Sequence, residues 1–307
     1  MRYLITGCAG FLGTNLTAKL LKSGHKVIGL DNLYSGSKNN TKLFKANKNY
    51  LFIEHDIINK INLKVDGIFN LACPASPIAY QGNPLLTLDT CYKGTVNMLD
   101  LAKKNNVRIL QASTSEIYGN PLEHPQRENY FGNVNTLGPR ACYDEGKRIA
   151  ETLFYNYREK YRLDIKIVRI FNTYGPYMAK DDGRVVSNFI NQALSNKDIT
   201  IYGDGLQTRS FCYVDDLIQG FIKFFKENKS FGPVNIGNNI ENNMNYIATK
   251  IIKLTGSNSK IIYKNMPIDD PAKRKPDLKK IKKITNWEPK VKLEEGLIKT
   301  IKYFKNI

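Results

Sequence analysis

A glycine-rich turn after the first apolar segment constrains the fold of this chain most. The run Gly7–Gly13 follows Tyr3–Thr6 and opens a helical pattern over about 11–23. Gly7 permits the tight turn, Gly10 lets the backbone approach a pyrophosphate, and Gly13 lets the helix pack closely on the strand. The first N–H groups of the helix and its dipole then favour an anion. The pattern predicts a dinucleotide-binding strand, turn and helix.

Asp31 ends the second apolar segment, about 20 residues after the glycines. A carboxylate there accepts hydrogen bonds from both ribose hydroxyls and repels a 2′-phosphate, so it predicts NAD rather than NADP. The alternative for Asp31 is a turn residue or helix cap. Asp56 ends the third predicted strand and is placed either to meet the adenine amine or to be solvated in a loop. The predicted cofactor-binding residues are Gly7, Gly10, Phe11, Leu12, Gly13, Asp31, Asn32, Asp56, Leu71, Tyr143 and Lys147.

Short apolar segments alternate with helical patterns over the first 170 residues. The predicted helices span about 11–23, 86–105 and 143–162, and the predicted strands are Tyr3–Thr6, Lys26–Leu30, Tyr50–Ile53, Gly67–Leu71, Arg108–Ala112 and Ile165–Arg169. Such alternation predicts an α/β fold with a Rossmann-type, doubly wound parallel sheet. After about 175 the segments are mixed, which predicts a smaller C-terminal α/β substrate lobe over the carboxyl edge of the sheet. The expected domains are 1–172, which binds NAD, and 173–307, with an approximate boundary because the chain can cross over.

Tyr143 and Lys147 lie four residues apart, so on a helix they share one face. A free tyrosine has a pKa of ~10, and a nearby ammonium group favours the phenolate and lowers that value. Such a pair can take a proton from a substrate hydroxyl while a hydride leaves for NAD. Taken alone, this spacing also occurs by chance, and the alternative is a surface pair.

The segment Ser113–Glu116 follows the predicted strand 108–112, at the edge of the sheet where ligands bind. Thr114 is placed to hydrogen-bond a substrate hydroxyl and to relay its proton to Tyr143. Glu116 is a candidate acid or base. The alternative is that Ser and Thr here cap the turn from strand to helix.

The order of these motifs resembles the extended short-chain dehydrogenase/reductases that act on nucleotide sugars. The shared features are the Gly-x-x-Gly-x-x-Gly turn, the Ser-Thr-Ser-Glu-x-Tyr-Gly run and Tyr-x-x-x-Lys. From Met1 to about Phe304 the chain is similar to the UDP-glucuronate decarboxylase (UDP-xylose synthase) family. The segments that carry this similarity are Asn70–Pro77, Gly138–Arg148, Asp182–Ile190 and Arg274–Asp277.

Ser115 distinguishes the decarboxylases from the related dehydratases. In the related dTDP-glucose 4,6-dehydratases an Asp precedes the glutamate and expels water, whereas this chain has Ser, as the decarboxylases do. The 4-epimerases generally lack the carboxylate of Glu116 and the guanidinium of Arg274. The alternatives that stay open are a UDP-sugar 4-epimerase, a dTDP-glucose 4,6-dehydratase and, in a different class, a non-catalytic NAD-binding sensor.

The resemblance also implies roles for the catalytic residues. Tyr143 takes the proton of the sugar 4-hydroxyl, bound NAD takes the C4 hydride, and the 4-keto acid loses CO2. Thr114, Ser115 and Tyr143 stabilise the oxyanion. Arg274 lies near the sugar carboxylate and C5 with Glu116 as its partner, and either of the two delivers the C5 proton. The substrate-binding residues that the resemblance implies are Asn172, Val185, Asn188, Tyr202, Arg209 and Arg274.

The formal net charge of +18 invites a nucleic-acid partner. The excess is mostly Lys spread along the chain and no nucleic-acid motif accompanies it, so we expect no nucleic-acid partner.

The five cysteines form no Cys-x-x-Cys pair and no zinc spacing, so we expect no metal and a reducing compartment. Cys8 and Cys73 replace small residues of the family, and Cys73 near the cofactor is a potential site of oxidation.

The chain opens directly on a predicted strand and has no apolar run long enough to span a membrane. We therefore expect a soluble, cytoplasmic protein without a membrane partner. The resemblance further implies a homodimer through paired helices around 86–105 and 143–162.

Overall fold

The structure, a computed structural model, describes residues 1–180, 182–266 and 273–307. The strands are β1 Arg2–Thr6, β2 Lys26–Asp31, β3 Tyr50–Glu54, β4 Gly67–Asn70, β5 Ile109–Thr114, β6 Ile165–Ile170, β7 Thr173–Tyr174, β8 Ile199–Tyr202, β9 Thr208–Ser210, β10 Cys212–Tyr213, β11 Val234–Ile236, β12 Glu241–Asn243, β13 Ile261–Lys264 and β14 Lys273–Arg274. The helices are α1 Phe11–Lys22, α2 Lys38–Lys42, α3 Pro77–Gly82, α4 Pro84–Asp89, α5 Thr95–Asn105, α6 Ala141–Tyr161, α7 Val185–Leu194, α8 Val214–Lys226, α9 Met244–Thr255, α10 Lys279–Thr285 and α11 Leu293–Lys305.

Seven parallel strands form the main sheet, in the order β11-β6-β5-β4-β1-β2-β3. Every residue of β4 and β5 is buried, as expected for central strands covered by helices on both faces. One apolar cluster includes Leu16 of α1 and Phe221 of α8, and a second includes Leu99 of α5 and Phe154 of α6. The predicted Rossmann-type, doubly wound α/β sheet is confirmed.

The six predicted strands are all present, with bounds that differ by at most two residues. Asp56 does not end the third strand, because β3 stops at Glu54 and Asp56 lies in the following loop. The predicted helix over 86–105 is interrupted by a π-helical turn, Thr90–Gly94, between α4 and α5.

The seventh strand, β11, comes from the C-terminal half of the chain and pairs with β6. The sheet therefore draws on residues beyond 172. The division into domains at that position stays a prediction.

The segments after β6 also build small sheets beside the carboxyl edge of the main one. They are β7 with β10, β8 with β13, and β12-β9-β14. In the last of these, Arg274 of β14 stands opposite Arg209 of β9. The backbone of Gln126 is hydrogen-bonded to Lys275 and Asp277, which fixes β14 against the loop that follows β5. No helix in the three described ranges has the length and apolar character needed to cross a membrane.

Candidate active site

A cavity of about 1270 Å³ lies where the carboxyl ends of the central strands meet the C-terminal segments. Its walls contain every residue that the sequence singled out for cofactor, substrate or catalysis. They are Gly7, Gly10, Phe11, Leu12, Gly13, Asp31, Asn32, Asp56, Leu71, Thr114, Ser115, Glu116, Tyr143, Lys147, Asn172, Val185, Asn188, Tyr202, Arg209 and Arg274. The structure thus brings these residues to one site, and the individual roles stay predictions.

The glycine turn forms one end of the cavity. Gly7 has a φ of +69°, in the region that favours glycine. A Cβ on Gly13 would collide with the carbonyl oxygen of Gly7, so helix and turn touch there. Gly10 is the N-cap of α1 and has no side chain to cover the first N–H groups of the helix. The turn therefore offers a close backbone approach and a helix N-terminus to an anion, which fits a dinucleotide pyrophosphate.

Asp31 braces this turn. Its Oδ2 accepts a hydrogen bond from the Ala9 N–H at 2.9 Å, and its Oδ1 accepts one from the Leu33 N–H at 2.9 Å. Burial raises the pKa of Asp31, and the two backbone hydrogen bonds oppose that rise. Asn32 beside it donates to Asp56 Oδ2 at 2.8 Å, which holds Asp56 at the same side of the cavity. Asp31 therefore does stabilise the turn, as the alternative interpretation held, and it also lines the cavity.

Tyr143 and Lys147 stand on the first two turns of α6, buried and facing the sheet. The Lys147 Nζ donates to the Ala112 carbonyl at 2.9 Å and lies 5.7 Å from the centre of the Tyr143 ring. Burial and the nearby Cys73 raise the pKa of Tyr143, whereas a hydrogen bond with Thr114 lowers it. Because both side chains are buried, Tyr143 and Lys147 are not the surface pair that was the alternative interpretation.

Tyr80 stacks on Tyr143 with ring centres 5.1 Å apart and planes 9° from parallel. Among the described residues its buried hydroxyl has no hydrogen-bond partner. The stack fixes the plane of the Tyr143 ring without contributing a polar contact.

The end of β5 supplies the next group. Thr114 Oγ1 accepts the Glu116 N–H at 3.2 Å, so it caps the 3₁₀ turn Ser115–Tyr118 as well as contacting Tyr143. Ser113, one residue earlier, donates instead to Glu151 at 2.5 Å and serves a structural ion pair of that residue with Arg169. Capping and a cavity-facing position are therefore both properties of this segment.

Glu116 is held between two guanidinium groups. Arg274 binds both of its carboxylate oxygens, and the Arg140 Nη2 lies 2.5 Å from Oε2. Burial alone would raise the pKa of Glu116, but Arg274 and Arg140 outweigh it and lower the pKa to about 2. The cluster places two guanidinium groups at the cavity wall. Such a site suits a carboxylate ligand.

Nearly the whole chain matches a known family. The model of the GDP-mannose 4,6 dehydratase family fits residues 4–300. The chain belongs to this family. Among curated proteins it is 50% identical over 304 residues to UDP-glucuronic acid decarboxylase 1 of Xenopus tropicalis, covering 99% of this chain and 72% of the relative. It is also 50% identical over 299 residues to UDP-glucuronic acid decarboxylase 3 of Arabidopsis thaliana, covering 97% and 87%.

Two solved structures show the same architecture. UDP-glucuronic acid 4-epimerase from Bacillus cereus, in complex with UDP-glucuronic acid and NAD, superposes with a TM-score of 0.89 at 27% identity, covering 100% of this chain and 99% of that one. The dTDP-glucose 4,6-dehydratase from Bacillus anthracis, in complex with NAD, gives 0.87 at 28% identity, with 100% and 97% covered.

Two polar residues of this family member were missed in the sequence. Arg140 lies in the segment 138–148 that carried the resemblance, but its ion pair with Glu116 needs a contact across the fold. Asp144 follows Tyr143 on α6 and is buried, and within the described part of the chain its Oδ1 atom has no hydrogen-bond partner. Burial and the charge of Glu116 raise the pKa of Asp144 to about 7, against the opposing effect of Arg140 and Arg274.

Proposed function

We propose that this protein is an NAD-dependent UDP-glucuronate decarboxylase that forms UDP-xylose. The observation that carries the proposal is the Arg274–Glu116–Arg140 cluster beside Tyr143. Two guanidinium groups next to a proton-accepting phenol match a sugar that carries a carboxylate and a reactive hydroxyl. The curated relatives at about 50% identity have this activity in their names.

The cavity fits NAD at the glycine turn. Gly10 leaves room for a pyrophosphate at the helix N-terminus, and the Asp31 carboxylate lies in the wall where a ribose would sit. A bound NAD would supply reversible hydride transfer at the sugar C4, so the reaction would have no net redox change.

Tyr143 and Lys147 then start the reaction on the sugar. The phenol oxygen of Tyr143 accepts the proton of the 4-hydroxyl, either directly or through Thr114. The Lys147 ammonium, fixed by the Ala112 carbonyl, lowers the cost of the phenolate through its charge. Because both side chains are buried, this charge acts with little screening from water.

The carboxylate is lost in the second stage. A carboxylate β to a ketone leaves as CO2 when the ketone oxygen takes up the electron pair, and hydroxyl donors stabilise that oxygen. Thr114, Ser115 and protonated Tyr143 are the donors at the end of β5. Arg274 and Arg140 hold the carboxylate, while Glu116 is ionised and paired, so in this arrangement it positions Arg274 and is a poor proton donor.

The test is NMR of purified protein with UDP-glucuronate and no added NAD. UDP-xylose and CO2 support decarboxylation with a retained cofactor. Conversion to the 4-epimer without CO2 would replace the proposal with an epimerase. Turnover of dTDP-glucose but not of UDP-glucuronate would replace it with a dehydratase.

We also propose that the protein is a homodimer. Apolar side chains on α4, the π-helical turn and α6 face outward, and Leu85 is 74% exposed. The other exposed apolar residues of these elements are Leu88, Tyr92, Ile149 and Tyr155. Such a patch is typical of a protein interface. Light scattering should give a dimer for the wild type and a monomer for Leu85→Glu, while Ile240→Glu, at an equally apolar exposed site before β12, should remain a dimer.

A cytoplasmic location is the last part of this proposal. Its support is the set of five free cysteines, which includes two thiols in contact. Fractionation of the source cells checks it, and recovery with an exported fraction would contradict it.

A further inference from the structure

Two of the thiols meet at the wall of the catalytic cavity. Cys73 lies in the loop after β4, and Cys91 lies in the π-helical turn Thr90–Gly94. Their sulfur atoms are 3.4 Å apart. We propose that Cys73 and Cys91 are an oxidisable thiol pair that closes to a disulfide when a peroxide enters the catalytic cavity, and that this disulfide inactivates the enzyme.

The two thiols differ in access. Cys73 lines the cavity and is partly exposed, whereas Cys91 is only 2% exposed and lies behind it. A small oxidant therefore reaches Cys73 first, and Cys91 is placed to resolve the product. This order is the arrangement of redox-sensing cysteines, in which an accessible thiolate stands beside a second thiol.

Cys73 also has the electrostatic surroundings of a reactive thiol. The hydrogen bond with Cys91 and the charge and hydrogen bond of Lys147 lower the pKa of Cys73 to about 7, although burial opposes this. A thiolate is the nucleophile in such reactions, and a pKa near ambient pH is optimal for attack. The other thiols lack these features: burial raises the pKa of Cys8, Cys142 and Cys212.

The oxidation balances with one peroxide. The Cys73 thiolate attacks a peroxide oxygen, the O–O bond breaks, and the leaving hydroxide takes a proton to become water. The Cys91 sulfur then attacks the Cys73 sulfenic acid, an S–S bond forms, and the second water leaves with the Cys91 proton. Two sulfur atoms are oxidised, and the peroxide is reduced by two electrons.

Closure would disturb the catalytic pair. A disulfide requires about 2.05 Å between the sulfurs, so the two atoms must approach by more than 1 Å. Cys91 packs on Gly146, where an added Cβ would lie 3.0 Å from its sulfur, and Gly146 precedes Lys147 on α6. Disulfide formation would therefore displace Lys147 in two ways. It would move Cys73, which is hydrogen-bonded to Lys147, and it would move the segment of α6 at Gly146. A displacement of about 1 Å at a catalytic group lowers the rate by roughly a hundredfold.

The first test is chemical and needs no assumption about the substrate. Purified protein is treated with hydrogen peroxide, alkylated and cut with trypsin, which leaves both thiols on one peptide, 65–93, because that segment has no internal Lys or Arg. The peptide should be two hydrogen atoms lighter and should accept no alkylating agent. A peptide that keeps two alkylatable thiols, or one cross-linked to the Cys142 peptide 141–147, overturns the pairing.

The second test follows activity, with each variant compared with its own untreated rate. The wild type should lose activity roughly a hundredfold and recover it with dithiothreitol, with Cys142→Ser behaving alike. In Cys91→Ser, Cys73 oxidises further to the sulfinic acid, so the loss should not be reversed. Cys73→Ser should resist peroxide. Reversible inactivation of Cys73→Ser would show that another group is the sensor. Failure of the decarboxylase assay in untreated protein would concern the proposed function alone, since the peptide result stands without it.

Discussion

Glu116 and Arg274 are 158 positions apart in the chain and form a two-oxygen ion pair in the wall of the catalytic cavity. The contact joins the end of β5 to β14, so the sheet and the C-terminal segments share one buried charge cluster. Arg140 adds a second guanidinium from the start of α6. Glu116, Arg140 and Arg274 therefore join the two halves of the cavity, and Arg140 and Arg274 are also the residues that we propose to hold the substrate carboxylate.

Replacing this carboxylate should affect both stability and catalysis. Glu116→Gln leaves the buried Arg274 guanidinium without the carboxylate that binds it, and breaking a buried pair in this way costs about 3–5 kcal/mol. We expect that loss in the free energy of unfolding, measured by urea denaturation, together with loss of turnover. Glu288→Gln breaks the exposed pair with Lys282 and should cost less than about 1 kcal/mol. Equal costs for the two variants would contradict a buried cluster.

Asp144 should make the stability depend on pH in the opposite sense to an ordinary ion-paired carboxylate. Its pKa is raised from 3.8 to about 7, so the folded protein binds the proton more tightly than the unfolded chain. The stability that this group contributes is fully present below pH 3.8, the pKa of the unfolded chain. It falls as the pH rises to about 7, the pKa in the fold, by up to about 1.4 kcal/mol per pH unit.

Asp144→Asn removes that proton equilibrium and keeps the shape of the side chain. Unfolding midpoints in urea at about pH 5 and about pH 8 should therefore differ less for the variant than for the wild type. Glu116 acts in the other direction, because its lowered pKa gives stability that is present above its ordinary value of 4.5 and lost toward about 2. The measurement above pH 5 leaves that second effect out. Identical pH slopes for wild type and variant would show that Asp144 is ionised in the fold.

Variants of the two stacked tyrosines, Tyr143 and Tyr80, distinguish an effect on catalysis from an effect on packing. Tyr143→Phe removes the proton acceptor and should lower kcat by about 10²–10⁴ while the melting temperature changes little. Tyr80→Phe removes a buried hydroxyl that has no partner among the described residues and keeps the stack. We expect it to change kcat far less and to be neutral or slightly stabilising. A comparable loss of kcat in both variants would mean that ring position, and not the Tyr143 hydroxyl, limits the rate.

Local sequence patterns predict most of the fold and the part of the cavity proposed to bind the cofactor. The strand, turn and helix around Gly7–Gly13 are continuous in sequence, and so is the Tyr143–Lys147 pair on α6. β11 was missed because its three residues give no period to read, and it pairs with a strand more than sixty residues away. The roles of Arg140 and Cys91 depend on contacts across the fold, which spacing along the chain does not encode.

The glycine turn allows cofactor binding to be separated from folding. A Cβ on Gly13 would overlap the Gly7 carbonyl, so Gly13→Ala should shift α1 and destabilise the protein. A Cβ on Gly10 would lie 3.4 Å from that oxygen, and Gly10 has a φ of −81° that alanine adopts readily. Gly10→Ala should therefore keep its melting temperature and lose NAD affinity, measured by calorimetry on protein stripped of cofactor, because the methyl group occupies the approach to the helix N-terminus. If Gly10→Ala bound NAD as tightly as the wild type, the pyrophosphate would have to lie elsewhere in the cavity.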